Sequence, residues 1–318
     1  MGWRWLLLGL ALVGSQAPDG KQALAAGGAA QRHFTPAAVL NPDARYPEGP
    51  QLLADGSLLS AEMPMDRVVR STAEGTATVW AEAGCGPTSV KRLPGGGFWV
   101  LCHLGHHVVR LSDDFATVAS IATAEDGSRI TWPNDASVDG AGNLYLSSSG
   151  LFSLNAPASG RLIRIGAADD RARVLAGGIR YANGVLVQPG RQRVLVSEHL
   201  SGRVLSFPLE EDGRVGPPRV FFDFAGLPGV AHPYALNGPD GIAAFADGEL
   251  LVANYGNGRL IHLSAEGEFL GVVPVALRFV TNMAIAPDQR SLYVTMTRDN
   301  SDPRLVGAIQ RFTVEGRE

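Results

Sequence analysis

Six short polar motifs recur along this chain, and one position in each carries a side-chain oxygen. They are Pro47-Glu48-Gly49, Gly86-Pro87-Thr88, Pro133-Asn134-Asp135, Ala182-Asn183-Gly184, Pro239-Asp240-Gly241 and Thr281-Asn282-Met283. Read around the series, the position holds Glu48, Thr88, Asn134, Asn183, Asp240 and Asn282, with no thiol and no imidazole. Such a set suits a hard divalent cation, Ca²⁺ above all, which accepts about six to eight oxygens in flexible geometry. A cation between Glu48 and Asp240 would also let both carboxylates stay charged where burial and mutual repulsion would otherwise protonate one of them. Asn-Gly and Asp-Gly pairs are ordinary turn formers, and it is their recurrence at one phase of a repeat that lifts them above that reading. Thr88 lacks reach and charge, and Asn282 is better suited to orienting a ligand carboxylate than to ligation. The expected ligands are therefore Glu48, Asn134, Asn183 and Asp240.

Residues so far apart converge only if the chain is built from repeated units. Each motif leads through a turn such as Ala54-Asp55-Gly56, Asp139-Gly140-Ala141-Gly142 or Asp247-Gly248 into an alternating apolar stretch, for example Asn143-Leu144-Tyr145-Leu146 or Glu249-Leu250-Leu251-Val252. Further stretches follow, as in Gly202-Arg203-Val204-Leu205-Ser206-Phe207, Gly258-Arg259-Leu260-Ile261-His262-Leu263 and Phe269-Leu270-Gly271-Val272-Val273. Four short strands per unit at a period of roughly 40 to 57 residues is the signature of propeller blades. The expected fold is an all-β, six-bladed β-propeller over residues 46–318. A β-sandwich would not require the same motif at every unit start. In a propeller the innermost strand of each blade borders the axis, so the six motif positions share one cavity. Residues 26–45 are expected to contribute to ring closure, pairing a strand within 32–40 with the last blade near 308–312.

Composition excludes several classes. A net charge of -4 with 18% charged residues offers no basic stripe for nucleic acid. The 39 Gly and 20 Pro are spread along the chain, as many tight turns require. At the N-terminus, Arg4 precedes the apolar run Leu6-Leu7-Leu8-Gly9-Leu10-Ala11-Leu12-Val13, and Ala23-Leu24-Ala25 supplies small residues for cleavage. Residues 1–25 read as a secretory signal peptide, since the run falls short of the roughly 20 apolar residues that span a bilayer. The expected location is periplasmic or secreted, with no membrane association after signal removal. Export permits a disulfide between Cys85 and Cys102, and the strand register leaves open whether their side chains meet.

These residues resemble the senescence marker protein/gluconolactonase/luciferin-regenerating enzyme family of six-bladed propellers. The most specific segments are Pro239-Asp240-Gly241-Ile242 with Leu251-Val252-Ala253-Asn254-Tyr255-Gly256 and Gly258-Arg259, then Pro133-Asn134-Asp135 and Asn183-Gly184. The resemblance implies one divalent cation at the floor of the funnel, held by Glu48, Asn183 and Asp240 with Asn134 in or beside the shell. It further implies that Asp240 is the base that activates water while the metal polarises a lactone carbonyl. The chain departs from several gluconolactonases at Trp132-Pro133, where those carry a basic residue, and an aromatic wall there suggests a substrate less polar than a sugar lactone. A paraoxonase-type histidine pair is incomplete, because Thr88 stands at the first position although His103 falls near the second. His199 and His232, on loops expected above the funnel, are candidates with Trp132 for binding a small-molecule substrate. His103, His106 and His107 lack acidic partners at ligand spacing and do not read as a second metal site. The leading expectation is hydrolysis of a lactone or related ester. The alternatives are phosphotriester or fluorophosphate hydrolysis on the same site, and a non-catalytic exported binding platform.

Overall fold

The computed structural model describes residues 32–228 and 237–316. The expected leader, and His232, lie outside them.

Alternating apolar residues between Gly-rich turns form twenty-four strands in six four-stranded antiparallel sheets. Strand β1 (His33–Asn41) comes first, and blade one follows as β2 (Pro47–Leu52), β3 (Leu58–Glu62), β4 (Arg67–Ser71) and β5 (Thr76–Ala81). Blade two is β6 (Pro87–Arg92), β7 (Phe98–Cys102), β8 (His107–Leu111) and β9 (Thr117–Ile121). Blade three is β10 (Pro133–Val138), β11 (Leu144–Ser148), β12 (Gly160–Ile165) and β13 (Ala172–Ile179). Blade four is β14 (Ala182–Gln188), β15 (Arg193–Glu198), β16 (Arg203–Pro208) and β17 (Arg219–Asp223). Blade five is β18 (Pro239–Ala244), β19 (Leu250–Asn254), β20 (Arg259–Leu263) and β21 (Phe269–Pro274). Blade six takes β22 (Phe279–Ile285), β23 (Ser291–Thr297) and β24 (Gly307–Glu315), and β1 pairs with β24 to complete it.

The inner strands β2, β6, β10, β14, β18 and β22 each contact the next around the ring, and β22 returns to β2. The molecule is thus a closed six-bladed propeller. Its core lies between blades: Leu251, Leu260 and Val273 of blade five pack on Val280, Leu292 and Phe312 of blade six. Trp99 and Leu101 of blade two likewise pack on Leu144, Leu146 and Ile163 of blade three. A twisted sheet that is apolar on both faces needs a neighbour on each side, and the ring supplies one.

Ring closure is reinforced by a buried polar cluster beside β1. Arg32 Nε donates to Glu249 Oε2 at 2.9 Å, His262 Nε2 lies 2.9 Å from the same oxygen, and the Arg32 guanidinium sits 4.0 Å from the Phe245 ring centroid. Blade two carries a disulfide between Cys85 and Cys102, which the sequence had left open.

Candidate functional site

The launch of each inner strand builds the site. Tyr46, Gly86, Trp132 and Tyr181, the residues just before β2, β6, β10 and β14, hold φ values of 45°, 51°, 47° and 59°. Left-handed backbone is costly for an aromatic residue, by about 1–3 kcal/mol, and persists only where the surroundings impose it. Beyond this turn each of the six inner strands has a bulge against its neighbour, for example between Pro133 and Ala136 and between Pro239 and Ile242. A bulge re-aims the side chains beside it. The second residues of β2, β6, β10, β14 and β18 are Glu48, Thr88, Asn134, Asn183 and Asp240, and each is 6% exposed or less.

Blade six corrects one assignment. The turn bond from Ala286 N–H to Ser291 O corresponds to that from Phe245 N–H to Glu249 O, which aligns Thr281, not Asn282, with Asp240. Thr281 Oγ1 donates to Pro47 O of the next blade at 2.7 Å, just as Thr88 Oγ1 donates to the carbonyls of Pro133 and Asn134 at 3.2 and 2.7 Å. The two threonines tie neighbouring inner strands together. Asn282 instead packs against Gly241, where a Cβ would come within 2.3 Å of its carboxamide, and its Oδ1 accepts from Met283 N–H. One residue of register separates these readings because motif spacing alone does not reveal the extra turn residue in this blade.

Of the four residues named from sequence, Glu48, Asn183 and Asp240 come together, and Asn134 takes the equivalent buried place on β10. The Asn183 carboxamide lies beside Asp240 and favours its charged form, and the Asp240 charge disfavours ionisation of Glu48. Burial first, then the Asp240 and Asp135 charges, push the Glu48 carboxyl well above its usual range, against the opposing Gly49 N–H and the more distant Lys91. Burial first, then Asp135, do the same to Asp240, against Asn183 and the Gly241 N–H. Among the described residues, Asn183 Oδ1 and Asp240 Oδ1 are buried without any hydrogen-bond partner. Orphaned acceptors of this kind cost about 1–3 kcal/mol each when nothing meets them. An all-oxygen set with unclaimed lone pairs in an anionic pocket fits a hard divalent cation.

An aromatic surround that the sequence reading largely missed stands over this cluster. Ring centroids are 4.8 Å apart for Phe152 and Tyr181, 5.9 Å for Tyr181 and His199, 5.6 Å for His199 and Tyr255, and 5.2 Å for Tyr255 and Phe279. The Tyr46 and Tyr255 hydroxyls are 3.0 Å apart. Burial first, and in part the charges of Asp240 and Glu48, raise the pKa of all three tyrosines, which therefore face the carboxylates as neutral phenols. A signal was available, since an aromatic residue precedes the motif in three units, at Tyr46, Trp132 and Tyr181.

The remaining candidates are placed as follows. Trp132 is partly buried and packs edge-on against His106 at 4.9 Å, with its backbone N–H donating to His106 Nδ1. His199 is 1% exposed, and its Nδ1 lies 3.1 Å from Pro239 O, the carbonyl before Asp240. His103 repeats the contact two blades earlier, 3.1 Å from Pro133 O before Asn134. A carbonyl can only accept, so Nδ1 carries the proton in both rings. Burial lowers the His103 pKa to about 4.

The architecture and site define a closed propeller whose channel carries a cation-ready oxygen cluster at one end. Residues 46–298 match the SMP-30/Gluconolactonase/LRE-like region, and the chain belongs to that family. A 6-deoxy-6-sulfogluconolactonase of Pseudomonas putida is 29% identical over 207 residues, 64% of this chain and 67% of that protein. Luciferin-regenerating enzyme shares the fold at a TM-score of 0.71 and 22% identity, covering 89% of this chain and 95% of its own. A gluconolactonase from Xanthomonas campestris matches at 0.71 and 18%, covering 92% and 99%. Regucalcin from Agrobacterium tumefaciens, described as calcium-binding, matches at 0.71 and 17%, covering 88% and 94%.

Proposed function

We propose that this chain is an exported, divalent-metal-dependent hydrolase of lactones or related esters, with Ca²⁺ held by Glu48, Asn183 and Asp240 and with Asn134 in or beside the shell. The observation that carries this reading is the pair of buried, partnerless oxygens on Asn183 and Asp240 beside a second buried carboxylate. When bound, the cation would polarise the carbonyl and offset the charge that develops on its oxygen. Asp240 accepts the proton of the attacking water. Asn183 lies beside that carboxylate and favours its charged form. His199 and His103 hold the carbonyls that precede Asp240 and Asn134, fixing where the two motif residues sit.

Family membership and the sulfogluconolactonase relative support a lactone as the reacting group. The rest of the substrate is read from the walls. Tyr46, Tyr181, Tyr255, Phe152 and Trp132 offer stacking surface, which favours a lactone with an apolar or ring substituent over a heavily hydroxylated or anionic one. Residues 1–25, with their charged start, apolar run and small-residue end, support export to the periplasm or medium.

A panel of sugar, alkyl and aryl lactones should be run beside phosphotriesters and fluorophosphates, with chelator and after calcium is restored. The expected result is chelator-sensitive lactone hydrolysis with the highest kcat/KM on apolar lactones. Preferential organophosphate turnover would move the assignment to phosphotriester chemistry. A calcium-loaded protein that hydrolyses nothing in the panel, yet melts lower on chelation, would favour a binding platform.

A further inference from the structure

The channel below the quartet holds a cation of its own. The chain has two lysines, Lys21 and Lys91; every other basic residue after Lys21 is arginine or histidine. Lys91 lies on β6, its side chain is 15% exposed, and its Nζ stands 3.4 Å from Asp135 Oδ1. Asp135 follows Asn134 on β10 and has a side-chain exposure of 3%. Its Oδ1 also accepts from Ser89 Oγ at 3.1 Å, and its Oδ2 lies 3.4 Å from the Val185 N–H. Strands of blades two, three and four thus meet on this one carboxylate. Lys91 also lines a cavity of about 280 Å³ whose walls include Gln51, Ser137, Leu186, Ile242 and Ile285.

We infer that the Lys91 ammonium is a built-in counter-ion of the channel: it neutralises Asp135, keeps that carboxylate out of the cation shell, and so limits the site to one divalent ion on Glu48 and Asp240. The inference rests on the cation site proposed above. Three carboxylates share the channel, at Glu48, Asp135 and Asp240, and one divalent ion together with one ammonium leaves them neutral. Without Lys91, Asp135 would be a third buried anion adjacent to a ligand residue, free to draw a second cation or to compete for the first. An ammonium is a compact point charge on a slender stem, and it reaches Asp135 within a channel lined by six strands.

The test is calcium binding, read by calorimetric titration and by elemental count of bound ions in the full-length protein, so activity is not the readout. If the ammonium repels the ion and Asp135 attracts it, Lys91→Met should tighten calcium about tenfold or admit a second ion, and Asp135→Asn should weaken it about tenfold. The double variant, with both charges gone, should return to within about threefold of wild type. Lys91→Gln serves in place of the methionine variant if that one fails to fold, and Lys91→Arg should stay nearest to wild type. A merely structural ion pair predicts something different, with both single variants weakening calcium through loss of order. That result, or single variants that leave affinity and stoichiometry unmoved while wild type binds, overturns the inference alone. A folded wild-type protein that takes up no calcium removes the cation site and this inference with it.

Discussion

Buried carboxylates occupy two kinds of setting in this propeller, and the contrast separates scaffold from site. Glu62 and Glu198, the last residues of β3 and β15, are 1% and 2% exposed, and both are fully claimed. Glu62 accepts from Arg45 N–H at 3.1 Å and Arg67 Nε at 2.8 Å. Glu198 accepts from Arg180 N–H at 2.9 Å and from Arg203 Nε. In blade five Asn254 does the same work without charge, accepting from Arg259 Nε at 2.9 Å. The residues whose N–H groups are held, Arg45 and Arg180, immediately precede the left-handed Tyr46 and Tyr181, so these clamps impose the turn that launches the inner strand. Glu48, two residues beyond the left-handed Tyr46, and Asp240, at the same place on β18, are almost as buried, and no arginine is among the groups that act on them. A carboxylate with an arginine and an N–H closes the fold, whereas Glu48 and Asp240 do not have that pairing.

The largest expected effect tests the second class. Asp240→Asn should cut lactone turnover by about a thousandfold, the scale of a lost general base, while leaving the metal-free fold at least as stable as wild type. Turnover within a few-fold of wild type would remove Asp240 as the base. Next comes a stability contrast measured by denaturant unfolding in chelator. Glu198→Gln should destabilise by about 1–3 kcal/mol, because it weakens the bonds to Arg203 and to the Arg180 N–H. Glu48→Gln should instead stabilise, since it removes a buried charge that lacks a counter-ion. The same sign for both would erase the distinction between the two settings.

A third prediction uses pH. The carboxyls of Glu48 and Asp240 are raised in the fold, so the stability they contribute is present below the ordinary carboxylate range and is lost as pH rises through their raised values. His103 acts oppositely: its pKa is lowered to about 4, so its contribution is lost as pH falls from the usual histidine range toward that value. The melting temperature gained on adding calcium isolates the carboxylate pair and should widen from about pH 5 to about pH 7.5. A gain that is flat across this range would count against ionised Glu48 and Asp240 as ligands. The smallest effect is expected from Tyr46→Phe, which deletes the hydroxyl contact with Tyr255 and should cost about 1 kcal/mol. A shift in KM for apolar lactones of more than about tenfold would show instead that the phenol contacts substrate.

Much of this was legible along the chain. Alternating strands at a fixed period set the blades, and equal phase carried Glu48, Asn134, Asn183 and Asp240 to equal depth, because a repeated unit places a repeated position at the same distance from the axis. Blade six was misread by one residue, since a strand bulge and a longer turn shift phase without changing the motif. Cys85 and Cys102 could not be paired from sequence for the same reason, as facing depends on register. Tyr46 and Tyr181 carried a visible pattern, but their left-handed backbone is imposed by Glu62 and Glu198, which bond the residue just before each. Lys91 is conspicuous as the last lysine in the chain, yet its meaning depends on a carboxylate in another blade.

The sequence alone therefore determined the architecture and the oxygen chemistry of the quartet, since both follow from local pattern repeated at one period. Which carboxylates are satisfied and which are left waiting was decided only by tertiary structure. Partnership between Glu62 and Arg45 across a hairpin, or between Lys91 and Asp135 across two blades, is a matter of distances in space, and burial turns those distances into free energy.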